Sequence, residues 1–109
     1  MRQQAKHVVS TALIASGEAI SQALAIQAYH DFGVQMPAAF TGASISFQVS
    51  ADGTTFQALY DRTNTIVSVT VAVNRSYDLP GELADWAFVK IVSASNEGAA
   101  RELIFIAKN

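Results

Sequence analysis

The stretch Ser44-Ile45-Ser46-Phe47-Gln48-Val49-Ser50-Ala51-Asp52-Gly53-Thr54-Thr55-Phe56 decides how the chain is read. Ile45, Phe47 and Val49 fall on one side of an extended backbone and Ser44, Ser46, Gln48 and Ser50 on the other, the period-two pattern of a half-buried strand. Ala51-Asp52-Gly53-Thr54 follows as a turn, because Asp and Gly accept the local hydrogen bonding and positive φ that hairpins need. Residues 56–60 are then the returning strand.

The same alternation extends outward in both directions. Toward the C-terminus, residues 65–73 place Val67, Val69, Val71 and Val73 on one face and Ser68 and Thr70 on the other, predicting a second firm strand. Residues 74–85 form the longest connection, with room for one helical turn after Pro80. Two further strands, 86–94 and 100–108, carry apolar residues on both faces, so both faces are expected to be covered; Ser95-Asn96-Glu97-Gly98 separates them. Toward the N-terminus, residues 37–43 read as a loop and 7–14 as a strand that turns at Ser16-Gly17-Glu18. Residues 20–29 fit both a strand and a helical stripe through Ile20, Ala23, Leu24 and Ala28. Strand is preferred, since caps are missing and the extended run 33–37 continues the segment.

About eight short strands at roughly ten-residue spacing, with no long helix, predict an all-β antiparallel sandwich, jelly-roll in type. The 109 residues suit one domain spanning 1–109, with residues 1–6 a polar, basic N-terminal arm, flexible or engaged with a neighbour.

Charged residues are 15% of the chain and apolar residues 50%, against about 25% charged in an ordinary soluble domain. A small domain has little interior in which to hide such a composition, so other subunits are expected to cover part of its surface. Nine acidic and seven basic residues, net −2, give no electrostatic reason to expect nucleic acid or an anionic membrane as partner. No apolar run approaches a membrane span or a secretory leader, so the sequon Asn74-Arg75-Ser76 is set aside.

Catalytic patterns are missing. Zero cysteines remove disulfides, thiolate metal sites and a cysteine nucleophile. His7 and His30 stand in different elements without metal-binding spacing, and Asp31, Asp52 and Asp61 are explained by turn chemistry; no spacing supports calcium. No Gly-x-Ser-x-Gly or phosphate-binding glycine loop occurs. The expectation is a protein that is not an enzyme and has no cofactor. Tyr29, Tyr60, Tyr77 and Trp86 lie at strand ends or in loops. They are read first as seals of the core with wet hydroxyls, and second as glycan or partner contacts.

The string Gln35-Met36-Pro37-Ala38-Ala39-Phe40-Thr41, continuing through Gly42-Ala43-Ser44 into Ile45 and on to Phe56, resembles a family of small β-sandwich domains encoded by tailed bacteriophages and prophages. Leu59-Tyr60-Asp61, Tyr77-Asp78-Leu79-Pro80, Trp86-Ala87-Phe88-Val89-Lys90 and Ala99-Ala100-Arg101-Glu102-Leu103 extend the resemblance over residues 8–108. It implies a virion structural protein assembled in the bacterial host cytoplasm. The expectation built on it is a capsid decoration, or cement, protein acting as a homo-oligomer, a trimer first, with the major capsid protein as partner. A neck or tail component and a carbohydrate-binding module for host attachment are its rivals; the hairpin 47–56 is similar to hairpins of discoidin-like and carbohydrate-binding sandwiches.

Overall fold

The computed structural model describes residues 7–109, so the expected arm at 1–6 lies outside the described residues. Among these residues nine strands form two antiparallel sheets. They are β1 (His7–Ile14), β2 (Leu24–Ala25), β3 (Asp31–Gln35), β4 (Ser44–Ser50), β5 (Gln57–Ala58), β6 (Ser68–Thr70), β7 (Ser76–Asp78), β8 (Phe88–Ser93) and β9 (Arg101–Lys108). One sheet has the order β1-β9-β3-β7 and the other β2-β8-β4-β5, with β6 also paired to β4. The first strand lies beside the last, the chain crosses between the sheets from β1 through β4 and again from β6 through β9, and β4, β5 and β6 share one sheet; this order of two interleaved Greek keys is the jelly roll.

The core lies between the sheets and is built by the alternation read from the sequence. Ile45, Phe47 and Val49 of β4 face Ala12 and Ile14 of β1, Phe32 and Val34 of β3, and Leu103, Phe105 and Ala107 of β9, all buried. Phe32 and Phe105 stack at 5.9 Å between ring centroids. Leu83 closes one end from a 3-10 helix, Gly81–Asp85, that starts after Pro80 as expected; the fixed φ of proline suits the entry to a helical turn.

Several expectations are corrected. Residues 20–36 are not one extended segment: the chain reverses at Ala28, φ +77°, and β2 and β3 enter different sheets. The expected strand 65–73 hydrogen-bonds to β4 only through β6, because β4 offers Ser44 to Ser46 there while its other half pairs with β5. Val67 and Val71 still reach the core, but Val73 is exposed. The returning strand 56–60 shortens to β5, and Tyr60 instead bridges Ile66. The long connection 74–85 hides β7, a short edge strand beside β3.

The outer faces of β8 and β9 are half-buried rather than covered. Phe88, Val92, Ile104 and Ile106 remain partly open to solvent, since a two-layer sandwich has nothing outside its sheets to cover them.

Candidate functional site

The hairpin loop 50–56 is built around one carboxylate. Asp52 Oδ1 accepts the amide N–H of Thr54 at 2.9 Å and of Thr55 at 3.1 Å, and the hydroxyl of Ser50 at 2.9 Å. These donors favour the ionised form and hold the Asp52 pKa down, from 3.8 to about 2. Gly53 takes φ +83° against the Phe88 ring, so the turn needs a residue without Cβ. Asp61 organises the next turn in the same way, accepting from the amides of Thr63 and Thr65. Asp31 differs: it opens β3 opposite Lys108 instead of sitting in a turn.

Beside the first of these loops is a groove of about 430 Å³ whose walls include Asp52, Thr55, Gln57, Tyr60 and Trp86. Tyr60 is 52% exposed. Trp86 is half-buried against the core at the end of the 3-10 helix, its backbone N–H bonded to the Leu83 carbonyl at 3.2 Å. The arrangement sets an ionised carboxylate and an amide side chain beside two aromatic rings.

The other two aromatics are placed differently. Tyr77 packs against the core, and its hydroxyl accepts the Ala72 N–H at 2.9 Å, anchoring β7 to the preceding turn. It borders a separate depression of about 320 Å³ on the outer face of the β1-β9-β3-β7 sheet, over Gly33. Tyr29 packs against the core at the β2–β3 turn. Of the four candidates, Tyr60 and Trp86 share a site; Tyr29 and Tyr77 do not join it.

One residue that sequence reading assigned to a simple turn is buried. Glu97 is 1% exposed. Its carboxylate accepts the Thr41 N–H at 2.8 Å, the Gly42 N–H at 3.1 Å, the Ser93 hydroxyl at 2.8 Å and the Arg101 Nε–H at 2.9 Å. Burial alone pushes its pKa up. The four donors outweigh it and bring the value from 4.5 down to about 2. Ser93 four residues before and Arg101 four residues after were the signal available, but the Thr41-Gly42 donors come from a distant loop.

Among the described residues no buried side-chain polar atom lacks a partner, and no group of three His, Cys, Asp or Glu comes together to hold a metal ion. No helix among them is long and apolar enough to cross a membrane.

The fold and site therefore define a jelly-roll β-sandwich with an aromatic-walled groove. Over its whole length the chain is similar to the SPBc2 prophage-derived protein YomS, whose crystal structure it matches with a TM-score of 0.68 at 14% sequence identity, covering 100% of this chain and 98% of that one. At that identity the likeness speaks for the fold. No protein-family model and no curated protein sequence matches the chain.

Proposed function

We propose that the protein is a structural component of a tailed-phage virion, and specifically a capsid decoration protein that works through oligomeric contacts with copies of itself and with the major capsid protein. The observation that carries this reading is the end-to-end likeness to a prophage-derived protein of the same single-domain size. The surface supports it. Val8, Val9, Leu13, Ile20, Ile66 and Val73 are all exposed, and a standard interface burying about 800 Å² per partner gathers roughly 20 kcal/mol of gross apolar stabilisation per contact before association costs. Its work is burial rather than bond-making, and the particle containing it would be assembled in the host cytoplasm. Adding purified protein to undecorated capsids tests this: co-sedimentation with a raised capsid melting temperature is expected, and no binding with unchanged shell stability would refute decoration. Binding to isolated necks or tails instead would move the protein to that part of the particle.

A second reading draws on the Tyr60–Trp86 groove. Aromatic rings beside an ionised carboxylate and an amide suit a sugar, which offers apolar ring faces and hydroxyl donors. Trp86 is the sole tryptophan, so its fluorescence reports the groove alone. Titration with host-surface polysaccharide that shifts this emission, and no shift in Tyr60→Ala, is the result expected of a glycan site; an inert spectrum would leave the groove a mere surface feature.

A further inference from the structure

Among the described residues the strand β1 ends its sheet, paired with β9 on one side and with no strand on the other. Long edges of this kind are ordinarily blunted by charge, proline or a bulge, because their unpaired N–H and C=O groups template further pairing. From Val8 through Ile14 there is neither a charge nor a proline, and Val9 is 57% exposed.

Half of the edge is nevertheless closed. The side-chain amide of Gln22 lies against it as a peptide group would: Gln22 Oε1 accepts the Leu13 N–H at 2.8 Å, and Gln22 Nε2 donates to the Thr11 carbonyl at 2.7 Å. These bonds also identify which residues face outward. Along an antiparallel strand, alternate residues direct both backbone groups to the same side, so Val9 shares the orientation of Thr11 and Leu13. Gln22 does not reach the C=O of Leu13 at its own end of the edge, nor, on the open half, the N–H and C=O of Val9 and the N–H of Thr11.

We infer that this open half of β1 pairs with β1 of a second copy of the chain, antiparallel about a two-fold axis at Val9. In that register Val9 of each copy exchanges both backbone bonds with Val9 of the other, and each Thr11 N–H meets the His7 carbonyl of the opposite copy. Pairing stops at Leu13, where Gln22 already occupies the edge. An uncharged strand is its own complement, since self-pairing brings no like charges together, whereas a charged partner strand would find no counter-charge here. The outer faces join as well: Val9 lies opposite Ile106 in the register with β9, so the two-fold sets two Val9–Ile106 rows end to end across one continuous sheet.

This inference rests on the homo-oligomeric part of the proposed function and not on the place of the protein in a particle. It departs from the three-fold order expected from the sequence, because an isologous strand pair closes on itself with two copies.

Hydrogen exchange and light scattering at micromolar concentration test it. In the unaltered protein the Val9 and Thr11 amides, which have no acceptor among the described residues of one chain, are expected to be protected, and the particle to contain two chains. Val9→Pro removes a donor that β9 does not use, and Val9→Lys places a charge at the axis. Each is expected to halve the particle mass with an unchanged circular dichroism spectrum, while Val73→Lys on another exposed site leaves two chains. Fast-exchanging Val9 and Thr11 amides, a one-chain or three-chain particle, or a two-chain particle that survives both Val9 substitutions would overturn the inference. Capsid binding is read separately, so failure of decoration and failure of the strand pairing are distinguishable.

Discussion

Glu97 shows how much one side chain decides here. Its carboxylate is enclosed but meets four donors, and the balance keeps it ionised with a pKa about 2 against 4.5 when free. A folded pKa below the unfolded one means that the group stabilises the fold fully above pH 4.5 and loses that contribution as pH falls toward 2. Asp52 and Asp61, also lowered by amide and hydroxyl donors, act in the same direction. Urea unfolding followed from pH 6 to pH 2 is therefore expected to show a falling midpoint, with a shallower slope in Glu97→Gln. Glu97→Ala strands Arg101 beside unpaired Thr41, Gly42 and Ser93 and is expected to cost about 3–5 kcal/mol at neutral pH, measured by the same denaturation. None of this was legible in Ser95-Asn96-Glu97-Gly98, which has the composition of an exposed turn. A glutamate is buried only where donors converge, and two of these donors are backbone amides 55 and 56 residues away.

Between elements, the loop 37–43 is pressed onto the β8–β9 connection. A Cβ on Gly42 would collide with the Ser93 hydroxyl and would approach Ala94 N to 3.1 Å and the Phe40 ring to 3.3 Å. Gly42→Ala is expected to lower stability by about 1–3 kcal/mol through this overpacking, read as a reduced thermal midpoint. The elements themselves were unevenly visible. β4 matches its sequence reading residue for residue, and Val89, Ile91, Leu103 and Phe105 face inward as their alternation requires. The long run at 65–73 contributes only β6, since backbone pairing depends on which partner edge is vacant and not on side-chain alternation. The turn at Ala28 carries no glycine, proline or asparagine. β7 was missed because three residues are too few to display a period.

For the whole molecule, β9 is the keystone of its sheet, bonded to β1 on one side and β3 on the other. The first described strand thus closes on the last, a pairing of high sequence separation that places folding among the slower, millisecond-to-second class of β-sandwiches. Truncation of residues 101–109 removes Leu103, Phe105 and Ala107 from the core and leaves β1 without the strand it pairs with among the described residues. The shortened chain is expected to show an unfolded circular dichroism spectrum with no cooperative thermal transition; a cooperative melt would contradict this account of the core.

Sequence by itself determined the extended backbone, the inward-facing sides of the principal strands, the helical turn after Pro80 and the two aspartate-centred turns, because each depends on residues within a few positions of one another. Tertiary structure alone decided which strands are neighbours, why Glu97 is buried, why Tyr60 and Trp86 share a groove while Tyr77 spends its hydroxyl on Ala72, and which half of β1 Gln22 leaves open. Those depend on surfaces brought together across the length of the chain, and alternation of apolar and polar residues specifies a face for burial without specifying what will cover it.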